Sequence, residues 1–324
     1  MKDIKYAVDT KSIALLDWFD RHYYRAAVGI VKGKKIVSPE FRNFVSVTTH
    51  LGIINKPFFN RWRGDVGNRV ADQRTKEAAE SGSIVHHACT IYSMGGDVIF
   101  NPPFYEKQNF TDKEIQKKKR NKNGCCIIEK QSDMVKVWGY ERVLSILKPQ
   151  ILMIEQPLIS LIHNNGGTLD YLWKLQAGSY DVGVREPIVI PESGNWIVDI
   201  KTGEESIDHK RQLCEYKYML HEMYGIDAKG VIILHLGVSE TTGNIKIKAI
   251  VIHNKKEMQE HTDAYLHAKA LWESNNENIQ PVIFQFPKEL SMKTAKLRKN
   301  LAIRPKRAIK SIVQKKQKRA KGKR

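Results

Sequence analysis

Gly166-Gly167-Thr168-Leu169-Asp170 opens, and Trp196-Ile197-Val198-Asp199-Ile200-Lys201-Thr202-Gly203 closes, the stretch whose reading decides the fold of this chain. Thr168 to Leu175 is rich in aromatic and aliphatic residues and reads as a strand. Trp196 to Ile200 is a short apolar run that reads as a second, neighbouring strand. Gly178-Ser179 and Pro191-Glu192-Ser193-Gly194-Asn195 mark turns between them. Each strand carries an acid, and the second also carries Lys201, two residues after Asp199. Side chains two apart on a strand share a face, so Asp199 and Lys201 project together while Ile200 points into packing.

The apolar residues around Asp199 bury that strand on at least one side, where a bare carboxylate is costly unless paired or bound to a metal. Two aspartates and a lysine converging at a sheet edge suit a hard divalent cation, which takes oxygen ligands and keeps several waters. A neighbouring lysine orients one of those waters. These are the parts of metal-assisted phosphodiester hydrolysis.

Asp170 followed by Asp199-Ile200-Lys201 resembles the signature of the PD-(D/E)XK nuclease superfamily, and the details are similar to its RecB-type exonuclease branch. Gly167 to Asp170 matches G-x-x-D, Asp199 to Gly203 matches D-x-K-T-G, Gln212 and Tyr216 match Q-x-x-x-Y, and Gly82 and His86 match an upstream G-x-x-x-H. The bare D…D-x-K pattern is weak; four motifs in the right order are a strong signal. Ser46-Val47-Thr48 to Leu51, with Lys56-Pro57 and Trp62 after it, is similar to the opening of phage and mitochondrial genome maintenance exonucleases of this branch. The resemblance implies a restriction-endonuclease-like core and Mg²⁺ or Mn²⁺ held by Asp170, Asp199, the main-chain carbonyl of Ile200 and His86. It makes Lys201 the group that positions the attacking water, steadied by Gln212 and Tyr216, which also contact the substrate strand. Glu155 matches an acid often seen in this branch: either a further metal ligand or a strand-edge carboxylate. Some relatives carry a four-cysteine iron–sulfur cluster near the C-terminus. No cysteine follows Cys214 here, so none is expected.

The chain has 324 residues, enough for one large domain or two small ones. Lys+Arg number 54 against 35 Asp+Glu, a formal charge of +19, which points to a polyanionic partner, nucleic acid ahead of a membrane surface. Cys89, Cys125, Cys126 and Cys214 form no C-x-x-C and read as reduced thiols in a cytoplasmic setting, the host's if the chain is phage-encoded. The N-terminus lacks the long apolar run of a signal peptide. No G-x-x-x-x-G-K-[ST] loop appears, so a helicase would be a separate partner, as would any recombination or replication protein.

In chain order, residues 1–65 read as an N-terminal helical elaboration, with a short helix over Ile13 to Tyr24, a strand from Ala26 to Val31 and a turn at Lys32 to Lys35. Phe59 and Trp62 stand at helical i,i+3 spacing, which favours core; the other reading stacks them on unpaired bases while Arg61 and Arg63 hold phosphate. Ala71 to Met94 reads as helix interrupted at Gly82, with His87 the competitor of His86, since successive helical residues point about 100° apart. Residues 101–130 are a basic insertion that includes Lys117 and Lys118, either a DNA-path loop or a solvated face. Val135 to Leu147 suggests a helix and Ile151 to Ile159 a buried strand. A helix capped by Ser206 or Asp208 runs to Tyr224, with Leu213, Tyr216, Leu220 and Met223 on its buried stripe. Two strands, Gly230 to Leu236 and Ile245 to Ile252, precede a closing helix anchored by Met258, Tyr265, Leu271 and Trp272. Residues 291–324 form a basic tail with the composition of a disordered segment.

The sequence thus predicts an α/β protein, a central mixed sheet flanked by helices, with one nuclease domain over residues 1–290. Its expected activity is a metal-dependent DNA exonuclease working on ends or single strands in recombination, repair or degradation. The rivals are a structure- or sequence-directed endonuclease of the same fold, a non-catalytic DNA-binding protein, and an enzyme acting on RNA.

Overall fold

The computed structural model describes residues 6–18, 21–33, 35–103, 118, 122–184, 186–277, 279 and 281. All of them lie in one compact unit, Met1–Pro281. The tail of residues 291–324 and Lys117 lie outside the described residues.

The elements in chain order are β1 (Tyr6–Val8), β2 (Ala14–Trp18), β3 (Arg21–Lys32), β4 (Lys35–Ser46), α1 (Val47–Leu51), α2 (Pro57–Val66), α3 (Asn68–Ser93), β5 (Asp97–Phe100), β6 (Cys125–Ile128) and α4 (Gln131–Leu147). They continue with β7 (Gln150–Ser160), β8 (Asn165–Leu175), β9 (Gly178–Tyr180), β10 (Ile188–Ile190), β11 (Gly194–Lys201), α5 (Ile207–Tyr224), β12 (Gly230–Val238), β13 (Ile245–Ile252) and α6 (Lys255–Asn275). A nine-stranded mixed sheet has the order β1-β3-β4-β8-β11-β12-β13, with β2 beside β3 and β7 beside β8. Alternation along the central strands feeds two cores. Trp196, Val198 and Ile200 of β11 and Ile232 and Leu234 of β12 pack on α3 and α4. Ile197, Val231 and Ile233 pack on α1, α5 and α6. The protein is therefore an α/β protein with a large mixed sheet between helical layers.

The N-terminal segment differs from its predicted helix. Residues 14–18 pair antiparallel with β3, from Ala14↔Arg25 to Trp18↔Arg21, and Leu15 is 54% exposed. From β1 to β4 the expected helical elaboration is thus a set of strands that extends the sheet, with α1 and α2 following as its helices, because a hairpin partner satisfies the backbone that a short, half-apolar helix would leave marginal. The chain turns back from β3 to β4 at Gly33, whose φ of 63° suits glycine. Gly82 does not interrupt α3, which runs unbroken from Asn68 to Ser93. Residues 178–180 form a strand paired with β10 rather than a turn. Leu271 is 53% exposed and anchors nothing, whereas Met258, Tyr265 and Trp272 are buried.

The largest surprise is α2. The i,i+3 spacing of Phe59 and Trp62 favours core, yet α2 contains no buried residue: Phe58 is 83% and Phe59 38% exposed. One apolar stripe on a ten-residue helix is necessary for burial but does not supply a partner surface.

A buried polar chain ties α1, β8, α5 and α6 together. Asn165 donates to Glu215 Oε1 (2.6 Å) and to the Tyr265 hydroxyl (2.7 Å), and that hydroxyl lies 2.9 Å from His50 Nδ1. Having accepted from Asn165, Tyr265 donates to His50, whose Nδ1 must then carry no proton. Burial, with help from the Lys269 charge, lowers the His50 pKa to about 3. The unfolded chain binds this proton near pH 6.5, so the contribution of neutral His50 to stability is present above that pH and lost as pH falls toward 3. By NMR, the His50 ring resonance is expected to stay flat from pH 8 to 5. A midpoint near 6.5 would show that the chain of hydrogen bonds is not as described.

Candidate metal centre

The site lies in a notch along one edge of β8. On that edge β11 pairs antiparallel with β8 from Gly194↔Leu175 as far as Val198↔Tyr171. β4 joins the same edge in parallel only at Val45↔Asn165 and Ser46↔Gly166. Between them Gly167 to Asp170 have no strand partner on that side, while β7 accompanies β8 along the other, from Gln150↔Lys174 to Ser160↔Asn165. Where the β8–β11 ladder ends, a side chain takes over: Asp170 Oδ2 accepts the Ile200 N–H at 3.1 Å. The next register step places Asp199 opposite Asp170. On the other edge, Ile154↔Tyr171 and Gln156↔Leu169 place Glu155 opposite Asp170 as well. Glu155, Asp170 and Asp199 thus occupy a row of register positions across β7, β8 and β11.

Glu155 reaches this row through strain. Its φ is 49°, in the left-handed region that side chains other than glycine rarely adopt. Ile154 packs in the core under α3 and α4, and strict alternation would turn residue 155 away from α3. The left-handed residue breaks the alternation and brings the Glu155 carboxylate to His86 of α3. Such a conformation costs of order 1–3 kcal/mol and tends to cluster at functional sites.

His86 faces the row with both ring nitrogens. Nε2 is 2.8 Å from Asp170 Oδ2 and Nδ1 is 3.2 Å from Glu155 Oε1. His87, its sequence competitor, is exposed. The potential ligand atoms of His86, Glu155 and Asp170 lie within 4.8 Å of one another. Asp199 stands beside this trio, with its Oδ2 2.6 Å from Lys201 Nζ. Asp199 and Lys201 follow Ile197 in the strand alternation, toward the α5 face. The trio draws in Glu155, which the sequence left between two readings, and gives Asp199 a lysine partner.

The electrostatics follow from setting three acids side by side, with Asp199 buried, Asp170 half-buried and Glu155 at the exposed rim. Burial and the Asp170 charge lift the Asp199 pKa to about 7, against the pull of Lys201. Burial also raises Asp170, but the hydrogen bond and charge of His86, then Lys201, outweigh it and leave its pKa lowered. For His86 burial works against the charge, yet Asp170 and Glu155 lift its pKa to about 9. Burial lowers and Asp199 and Asp170 raise the Lys201 pKa, for a net rise. Asp199 and Asp170 face the Lys201 ammonium, while the Asp170 and Glu155 charges favour the charged form of His86. A nitrogen and several carboxylate oxygens focused on one point also suit Mg²⁺ or Mn²⁺.

The remaining motif residues shape the site. Gln212 Nε2 donates to the Tyr216 hydroxyl at 2.9 Å, so the structure pairs these two with each other. Gly167 makes room for that ring, since a Cβ there would lie 2.2 Å from Tyr216 Cε1. Gly82 lets α3 approach the loop after Lys201; its Cβ would lie 3.1 Å from Thr202 Oγ1. A cleft of about 710 Å³ opens above, lined by Gly82, His86, Glu155, Lys201 and His209 among others. Sequence reasoning missed Thr90, which donates to Glu155 Oε1 at 3.1 Å, and His209. Helical spacing held the clue, because Thr90 follows His86 by four residues and His209 precedes Gln212 by three. Of the residues expected to meet DNA, Arg61 is exposed, Trp62 and Arg63 are half-buried, and Lys118 pairs with Asp97 at 2.9 Å.

Among the described residues no helix is long and apolar enough to cross a membrane. Among the described residues Cys89, Cys125, Cys126 and Cys214 take part in no disulfide.

A cation that binds the folded state alone, at about 100 times its Kd, adds about 2.7 kcal/mol of stability. Mn²⁺ added to the EDTA-treated protein is therefore expected to raise Tm by roughly 5–10 °C. Asp170→Asn should abolish that rise. An equal rise in the variant would place the ion elsewhere.

No protein-family model matches the chain and no curated protein is significantly similar to it, so the chemistry of the site is argued from its own geometry.

Proposed function

We propose that the protein is a divalent-metal-dependent deoxyribonuclease with a restriction-endonuclease-like core of the RecB type, acting as an exonuclease on DNA ends or single strands. The observation that carries this reading is the row Glu155, Asp170 and Asp199, met by His86 from α3 and by Lys201 from the end of β11. His86, Glu155, Asp170 and the Ile200 carbonyl would hold Mg²⁺ or Mn²⁺, with Asp199 beside them. When bound, the cation lowers the pKa of a water and offsets the charge that builds on the phosphate.

The protein's own groups do the rest. Lys201, kept protonated by Asp199 and Asp170, donates a hydrogen bond that orients the attacking water against the phosphorus. Asp199 fixes the Lys201 ammonium at the mouth of the notch. Asp170 holds the Ile200 amide and thereby fixes the direction of the Ile200 peptide. Tyr216 and Gln212 fill the notch and keep Asp170 and Asp199 away from bulk water. The +19 charge of the chain favours a polyanionic substrate.

Lys201→Ala and Asp199→Ala are each expected to slow Mg²⁺-dependent digestion of end-labelled linear DNA by about 10²–10⁴-fold. Both should leave folding intact, as read by circular dichroism. Closed circular DNA should survive the wild-type protein. Wild-type turnover in either variant would remove these residues from the chemistry, and loss of the circles would make the enzyme an endonuclease.

A further inference from the structure

The surface of α2 carries three aromatic rings outside the core: Phe58 is 83% and Phe59 38% exposed, and Trp62 is half-buried. We propose that Phe58, Phe59 and Trp62 form a stacking platform for unpaired DNA bases, on which the substrate strand lies beside the cleft; this rests on the nuclease reading above.

Helical residues are about 100° apart, so Phe58, Trp62 and Phe59 fall on one contiguous face, with Arg61 on one flank and Arg63 on the other. Two of the rings pack on each other, and a guanidinium lies over Phe58 and over Phe59. Phe59 and Trp62 have centroids 5.5 Å apart, the Arg61 guanidinium sits 6.0 Å from the Phe58 ring, and that of Arg63 5.8 Å from the Phe59 ring. Apolar rings bordered by cations match a base bordered by phosphates, and base–aromatic stacking tolerates any sequence.

The location links this face to the site. Lys56, at the N-terminus of α2, lies 3.7 Å from Asp208 of α5, and its charge acts on His209, which lines the cleft. The C-terminal end of α2 turns at Gly67 straight into α3, the helix that carries His86. Residues 56–80 hold six basic and four acidic residues, a net positive path from cleft to platform. Arg63 also pairs with Asp72 at 2.8 Å, which fixes its guanidinium beside Phe59. A platform of this kind selects unpaired over duplex DNA, because bases in a duplex present no free face.

The test uses the full chain in EDTA, so that no probe is cut. Anisotropy of fluorescein-labelled oligo(dT) of about 20 nucleotides, longer than the roughly 4–16 covered by one small binding fold, reports affinity. Phe58→Ala removes a ring that is 83% exposed, so the fold should survive. It is expected to weaken oligo(dT) binding about fivefold or more, the loss of one stacked base. Phe58→Tyr should restore affinity, and a blunt hairpin duplex should bind wild type and Phe58→Ala alike. An abasic strand of equal charge should bind wild type no better than it binds Phe58→Ala. Equal oligo(dT) affinity in wild type and Phe58→Ala would overturn the proposal, as would an equal loss for the duplex. A changed sedimentation coefficient without a change in binding would mark the face as a contact between copies, and would overturn it too. Lys201→Ala, measured alongside, separates the two readings. Full cleavage by that variant sinks the nuclease chemistry, whereas the oligo(dT) series in EDTA judges the platform alone.

Discussion

Everything at the site depends on the parting of two strands. β11 follows β8 only to Val198↔Tyr171, and one residue later the Asp170 carboxylate accepts the Ile200 amide in place of a backbone carbonyl. A continuous ladder would leave no room for a buried acid at this depth. The parting creates the room, and the hydrogen bond to Asp170 satisfies the backbone group that the parting would otherwise orphan. The same atom, Asp170 Oδ2, also meets His86, so the end of the ladder and the centre of the charge cluster coincide.

The surrounding elements hold the notch open and keep it dry. Tyr216 lies against Gly167, where a Cβ would collide with its ring. Tyr24 reaches Thr168 with its hydroxyl at 2.8 Å. The buried chain from Glu215 through Asn165 and Tyr265 to His50 fixes the first residue of β8 to three helices. A site of clustered like charges gains nothing from its own repulsion, so its geometry must be imposed by such packing around it. Glu155 shows the same imposition on the backbone, with a left-handed conformation maintained within a strand paired on both sides of it.

Two features of the surface follow from chain topology. The N-terminal residues join the sheet as β1 to β4 and deliver β4 to the lower end of the β8 edge, which sets the length of the notch. The chain then turns at Gly67 from α2 straight into α3, so that α2 adjoins the helix that lowers His86 into the cleft.

The sequence by itself determined the central strands, the capped helix α5 and the identities of the acids. These rest on local signals: apolar runs between turn residues, Ser206 before and Gly225 after a helix, and side chains of fixed chemistry at fixed spacing. The same kind of signal misled where a short segment had no strong period of its own. Residues 14–18 became a strand because β3 lay beside them, and Phe59 with Trp62 pack ring to ring on α2 without reaching the core. Only the tertiary structure decided that Glu155 belongs with His86 and Asp170, and that His86 rather than His87 turns inward. Those outcomes depend on strand register and on where a ladder stops, and both are fixed by contacts between residues far apart in the chain.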